Sequence, residues 1–260
     1  MIKFSVIMPT FNRGFCIDNA ITCLLNQSYE DFELVIIDDG STDNTEDLIK
    51  QKYQNELNLG KIVYYKILNN AGVCVARNMG LRLAKNDWIA YADTDNSFRT
   101  NFLEAFADAI RKNPTTKTFY AKMQFLKAGG TLGHSFDYQE LCRGNYIDMG
   151  VFCHHKSLVD EFGGFDLNIR RWVDYDLILT YTKFYTPVFI DKVLMDYNDN
   201  EGFKRITNSE DVNMQYIYQK HNIKIKKTLF PKWMARIICC FIPSRKNRKR
   251  FMTSHVRYKK

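Results

Sequence analysis

Two carboxylates one residue apart, Asp93 and Asp95, stand in Tyr91-Ala92-Asp93-Thr94-Asp95-Asn96, directly after a short apolar run. At a strand end such a pair can share a hard divalent cation, which keeps coordination sites open for water and phosphate oxygens. A cation there would bridge a diphosphate and neutralise the charge building on a nucleoside-diphosphate leaving group. The same spacing also suits a helix cap or a solvated turn, so the pair alone decides nothing. A second acidic pair, Asp38 and Asp39, closes the run Ile36-Ile37 and leads into Gly40-Ser41. A carboxylate in that place can accept the imino N–H of a uracil or thymine ring, while one of the two can instead cap the next helix.

In Asn70-Ala71-Gly72 and Ala76-Arg77-Asn78 small residues open a helix whose N-terminus suits a phosphate or a ribose. Arg77 lies about one and a half turns in. It either adds a cation to that site or serves as the ion-pair partner between the acidic strand ends. Further on, Asp174 and Asp176 stand in Arg171-Trp172-Val173-Asp174-Tyr175-Asp176. Two residues apart, they share a face on a strand and diverge on a helix.

These residues need a scaffold that gathers strand ends. Phe4 to Met8, closed by Pro9, reads as a buried strand, and a helix follows from about Phe15 to Asn26. Phe32–Ile37, Lys61–Leu68 and Trp88–Ala92 are three more strands. Helices from Ser41-Thr42-Asp43 to Tyr53 and from Gly72 to Ala84 alternate with them. The rhythm predicts an α/β fold with a mostly parallel central sheet and helices on both faces. Ligands bind beyond the carboxyl ends of such strands, where Thr10, Asn12, Asp38, Asp39, Asp93 and Asp95 all fall. Residues 101 to 200 are less regular, with a helix over Asn101–Lys112 and a strand over Thr118–Phe125.

The chain has 260 residues, enough to bury a sizeable core, with an ordinary 45% apolar and 25% charged composition. Its seven cysteines show no C-x-x-C pairing, which argues for free thiols in a reducing compartment. No basic-then-apolar leader opens the chain, and a cytoplasmic placement is expected. The net charge of +8 hides a division. Residues 212–260 hold 14 of the 37 basic residues and no acidic one, which leaves 23 basic against 29 acidic residues before them. An acidic body is a poor nucleic-acid surface, and no nucleic-acid fold signature accompanies the basic end.

Taken together the motifs resemble the inverting family 2 glycosyltransferases of the GT-A fold, of the bacterial cell-envelope glycan type. The match runs in order through Val6-Ile7-Met8-Pro9-Thr10-Phe11-Asn12, Gln27-Ser28-Tyr29, Asp38-Asp39-Gly40-Ser41, Asn70-Ala71-Gly72, Ala76-Arg77-Asn78 and Asp93-Thr94-Asp95. It continues in Gly163-Gly164-Phe165-Asp166 and Asp174-Tyr175-Asp176-Leu177, so it covers about residues 2 to 200. The resemblance implies transfer of one sugar, of the hexosyl or N-acetylhexosaminyl class, from a nucleoside-diphosphate sugar, with a UDP-sugar as default. The acceptor would be a glycan or a lipid-linked oligosaccharide in polysaccharide or lipooligosaccharide synthesis. Pro9, Thr10, Asn12, Asp39, Asn70, Gly72, Arg77, Asp93 and Thr94 would line the donor site. Asp95, with Asp93, would hold Mn2+ or Mg2+, and Asp174 would be the catalytic base, with Asp176 structural at a helix start.

Three positions depart from the family pattern. Asn96 stands where a further aspartate is common, and Val173 replaces the glutamate before the base. Met195-Asp196-Tyr197-Asn198-Asp199-Asn200 lacks the histidine that often ligates the metal, with Asp199 as a weak substitute. These changes motivate a second reading, a degenerate member that binds nucleotide-sugar without turnover. A nucleotidyltransferase would want a glycine-rich, lysine-bearing loop after the first strand, and Pro9-Thr10-Phe11-Asn12-Arg13-Gly14 is not one. His154 and His155 line an acceptor cleft or sit satisfied in the core; His134 and Trp172 are candidates to face the acceptor.

The expected organisation is a nucleotide-sugar half, 1–98, an acceptor and catalytic half, 99–228, of the same domain, and a basic amphipathic tail, 229–260. In the tail Trp233, Ile237, Phe241 and Arg245-Lys246-Asn247-Arg248-Lys249-Arg250 suit an anionic membrane surface, hence a peripheral inner-face location.

Overall fold

A computed structural model describes residues 1–199 and 214–223. Its first half is the expected alternation: β1 (Phe4–Thr10), α1 (Ile17–Leu25), β2 (Phe32–Asp38), α2 (Thr45–Lys52), α3 (Gln54–Asn58), β3 (Ile62–Lys66), α4 (Val73–Leu83) and β4 (Trp88–Tyr91). The strands pair in parallel in the order β3-β2-β1-β4. Nearly every residue of β1 and all of β2 are buried, because helices cover both faces, and this is why these strands read as continuous apolar runs. β1 continues past Pro9 to Thr10. Pairing to β4 ends at Ile7 opposite Tyr91, so the missing N–H of Pro9 falls beyond that ladder.

The sheet then changes character. β5 (Ser97–Phe98), α5 (Phe102–Lys112), β6 (Thr118–Phe125), β7 (Thr131–Leu132) and α6 (Tyr138–Leu141) lead to a 3-10 turn over Met149–Val151. β8 (Phe152–His155), α7 (Ser157–Phe162), α8 (Val173–Thr182), β9 (Val188–Tyr197) and α9 (Met214–Lys220) follow. β8 runs antiparallel between β4 and β6, β9 pairs with β6 in parallel, and β5 closes the edge. The sheet is thus parallel over its first four strands and mixed beyond β4.

Two close packings set the site. Gly80 of α4 lies against β1, where a Cβ would come within 2.4 Å of Ile7 Cγ2. The helix can therefore sit tightly on the sheet, with Arg77 near the strand ends. Asn78 of α4 exchanges two hydrogen bonds with the backbone of Phe165, both 2.8 Å, which fixes the 163–166 turn against it. Among the described residues no helix is long and apolar enough to cross a membrane. The tail 229–260 lies outside the described residues.

Candidate active site

The carboxyl ends of β1, β2 and β4 converge as the sequence predicts. Thr10 ends β1 with its side chain buried and its Oγ1 without a hydrogen-bond partner. Its carbonyl accepts the N–H of Asp39 at 2.8 Å, joining the first two strand ends. Asn12 adopts φ +52 and accepts N–H bonds from Thr42 (2.8 Å) and Asp43 (3.3 Å), while its own N–H donates to Ser41 Oγ. An asparagine tolerates that left-handed backbone better than most side chains. Asn12 thus braces the two loops around the strand ends.

The two aspartates after β2 have separate roles. Asp38 is fully buried and accepts the Ser41 N–H and the Tyr64 O–H, each at 2.7 Å. Asp39 accepts the N–H groups of Ala71 and Gly72, both at 2.8 Å. It shapes the loop carrying the exposed Asn70, while its remaining lone pairs stay available to a ligand donor. Gly72 has φ +95, which only glycine adopts without strain, and it turns the chain into α4.

Arg77 is the centre of the arrangement. It is buried, one guanidinium nitrogen donates to Asp174, and the other lies 3.2 Å from Asp93. The guanidinium stands 5.2 Å from the centroid of the Phe165 ring. Burial alone would lower its pKa, but Asp174 and Asp93 more than reverse this and keep it charged. Of the two sequence readings of Arg77, the geometry shows the ion-pair partner, which ties the acidic strand end of Asp93 to Asp174. Burial raises the Asp174 carboxyl above the ordinary range; Arg77 opposes the rise and Asp93 adds to it.

Asp93 and Asp95 are half-buried and Thr94 is buried. Among the described residues no three His, Cys, Asp or Glu side chains gather in metal-binding geometry. The pair suits a cation that takes one or two carboxylates and completes its shell with phosphate oxygens and water. Asn96 is buried, accepts the Asn198 N–H at 3.2 Å, and leaves its Nδ2 without a partner. Asp199 accepts the N–H groups of Lys127 (2.6 Å) and Ala128 (2.8 Å), a turn-holding role that the idea of a substitute metal ligand did not foresee.

On α8 the two aspartates diverge. Asp174 meets Arg77, whereas Asp176 is buried against Lys220 and His221. Trp172, with φ +64, precedes the helix and packs edge-on against Tyr175. His154 is a satisfied core residue: it is buried, its Nε2 lies 2.9 Å from the Tyr91 hydroxyl, and burial lowers its pKa to about 4. His155 packs edge-on against Trp88, and His134 stacks on Tyr146 at 4.1 Å.

One residue escaped the sequence reading. Asp148 caps the 3-10 turn through the Gly150 N–H at 2.8 Å. Burial, with Asp93 and Asp174 nearby, pushes its pKa up to about 7. Its only signal in the sequence is a capping residue before Met149-Gly150, which does not distinguish it from any other turn.

The chain is similar in sequence and fold to known proteins. An uncharacterised glycosyltransferase of Haemophilus influenzae is 31% identical over 165 residues, 61% of this chain and 64% of that protein. The poly(ribitol-phosphate) beta-N-acetylglucosaminyltransferase TarP of Staphylococcus aureus is 39% identical over 117 residues, 44% of this chain and 34% of that protein. The chain thus spans less than two thirds of the length of either. The crystal structure of S. aureus TarS 1-349 in complex with UDP-GlcNAc matches with a TM-score of 0.69 at 20% identity, over 95% of this chain and 69% of that one. At that identity the likeness is one of fold, the GT-A fold. The model of glycosyl transferase family 2 matches residues 5–154, more than half of the chain, and the chain belongs to that family.

Proposed function

We propose that the chain is an inverting glycosyltransferase that moves one sugar from a UDP-sugar to a hydroxyl of an envelope glycan or lipid-linked acceptor. The observation that carries this reading is the single buried guanidinium of Arg77 joining Asp93, at the donor strand end, to Asp174 on α8. Thr10, Asn12, Asp39 and the Asn70–Gly72 loop receive the nucleoside, with Pro9 lining the same edge. The TarS complex with UDP-GlcNAc supports a UDP-sugar, and the name of TarP supports an N-acetylhexosamine.

In the reaction Asp174 accepts the proton of the acceptor hydroxyl as that oxygen attacks the anomeric carbon. The bond from the anomeric carbon to the diphosphate oxygen breaks on the opposite face, so configuration inverts and no covalent sugar–enzyme intermediate forms. A base must be ionised to act; burial disfavours the ionised form of Asp174, and Arg77 works against that rise. Asp95 with Asp93 would hold a divalent cation. When bound, it supplies charge neutralisation on the diphosphate.

Isothermal titration of UDP with and without Mn2+, on wild type and Asp95→Ala, tests the donor site; metal-dependent binding that the substitution abolishes is expected. Asp174→Asn should keep UDP binding and lose transfer from UDP-sugars. Binding without transfer in the wild type, across UDP-sugars and lipid-linked acceptors, would favour the degenerate reading. Absence of UDP binding under every metal condition would sink the uridine assignment. Membrane contact through residues 229–260 is proposed on the charge pattern alone.

A further inference from the structure

The last described helix is joined to the start of α8 by polar contacts that sugar transfer itself does not use. Asp176 is 2% exposed, with His221 Nε2 2.8 Å from one carboxylate oxygen and Lys220 Nζ 2.8 Å from the other. The same ammonium reaches Asp166 at 2.8 Å, and the Tyr216 hydroxyl donates to that carboxylate at 2.9 Å. A buried carboxylate is costly without partners, so this side of α8 depends on α9.

Tyr175 anchors the first turn of α8 through its buried hydroxyl, which donates to the Leu141 carbonyl at 2.7 Å. No side chain caps it, and its N-cap residue Trp172 takes a left-handed backbone that is uncommon for a bulky side chain. Residues two apart on a helix point about 200° apart. Asp174 accordingly meets Arg77 on one side, while Asp176 meets α9 on the other. The turn is held between two cationic grips. Lys220 also links them: its second partner, Asp166, adjoins Phe165, which backs the Arg77 guanidinium and is fastened to Asn78. A closed circuit thus runs from Arg77 through Phe165, Asp166 and Lys220 to Asp176, and back through one helical turn to Asp174.

We propose that Lys220 and His221 are positioning residues for the transfer step: by gripping Asp176 they fix where Asp174 stands relative to the donor. This rests on the reading of Asp174 as the base. It separates two requirements on the chain, because the bonds from Asn12 and Asp39 that shape the nucleoside loops are other than those that hold Asp176. Damage to the grip should therefore reach the chemical step and spare donor binding.

The experiment uses the full chain with Lys220→Met and His221→Leu, their conservative counterparts Lys220→Arg and His221→Gln, and Asp174→Asn. Each is followed by kcat and KM for transfer, by UDP titration and by thermal melting. Lys220→Met and His221→Leu should lower kcat by about 10- to 100-fold, the scale of a misplacement near 1 Å, with UDP affinity within about twofold of wild type. Lys220→Arg and His221→Gln should restore most of kcat, since each again presents an N–H donor to Asp176. Unchanged kcat in both disruptive variants, with Asp174→Asn inactive, overturns the positioning role alone. Full transfer activity in Asp174→Asn overturns the base assignment instead. Parallel loss of kcat, UDP binding and melting temperature, with no recovery in the conservative pair, assigns these residues to general stability and rejects the proposal.

Discussion

Replacing Arg77 with methionine keeps an apolar stem of similar length and removes the cation between Asp93 and Asp174. At the 3.2 Å separation from Asp93, one such pair attracts by ~5 kcal/mol at an effective dielectric of about 20, before desolvation of both groups is subtracted. Stranding a buried charge typically costs about 3–5 kcal/mol. Here both carboxylates retain access to water, 36% for Asp93 and 34% for Asp174, so solvent takes over part of the role of the cation. The expected loss is therefore ~2–3 kcal/mol. Urea unfolding at pH 7, extrapolated to water, measures it. The double variant Arg77→Met/Asp174→Asn removes one of the two stranded charges. It should be more stable than the sum of the single effects predicts, by ~1 kcal/mol. A loss below ~0.5 kcal/mol, the scale of an indifferent surface substitution, would refute the central role given to this guanidinium. Strict additivity in the cycle would refute its coupling to Asp174.

Other outcomes follow from the same geometry. Because burial raises Asp174 and only its ionised form takes a proton, the acidic limb of kcat should lie above the ordinary aspartate value of 3.8; removing Arg77 should move it further up, read in the pH–rate profile of any residual activity. Asp148, raised to about 7 against 3.8 unfolded, favours folding as a neutral acid. That contribution is complete below about pH 4 and is lost as pH rises through 7. Asp148→Asn should accordingly gain stability relative to wild type between pH 5 and 8, by ~1–2 kcal/mol after screening, and a constant difference in melting temperature would contradict this. Asp39→Ala frees the N–H groups of Ala71 and Gly72 and removes the acceptor that we propose for the nucleotide base. UDP affinity should fall at least about tenfold, the worth of one charge-assisted hydrogen bond, and an unchanged titration would exclude Asp39 from the pocket. The full chain should sediment with anionic vesicles at low salt, and a chain ending at residue 228 should not, if the basic tail meets a membrane.

Legibility in the sequence followed the kind of burial. β1, β2 and β4 lie inside a parallel sheet covered on both faces, so they appear as unbroken apolar runs closed by Pro9, Asp38 and Asp93. The second half offers no such signal. β9 carries Asp191 and Lys192 in its middle, and its register against β6 shifts around Lys122, so neither a continuous run nor a clean alternation survives. α8 is buried nearly all round, from Val173 to Thr182, which erases the helical period that made α5 readable. A mixed sheet with a bulge and a helix without a polar face are both stable, but each hides the regularity on which sequence reading depends.

The candidate site was legible in its residue types and illegible in its pairings. Asp93, Asp95 and Asp174 announce themselves as carboxylates in suitable places. Nothing local tells that Asp174 meets an arginine 97 positions earlier, or that Asp176, two residues on, is spent on Lys220 and His221. The choice between the two aspartates becomes physical only once α8 is known to be a helix, because helical geometry sends them to opposite sides. Arg77 shows the same limit from the other direction. From sequence its two roles compete, as an anion contact or as a structural ion pair. In the fold the ion-pair role is the one on view: the buried charge needs both carboxylates to be tolerated, and holding both sets Asp93 and Asp174 at one site. For this chain the cost of burying a cation and the fixed carboxylate that we propose as the base have one solution, and that shared solution makes Arg77 the most informative single residue to remove.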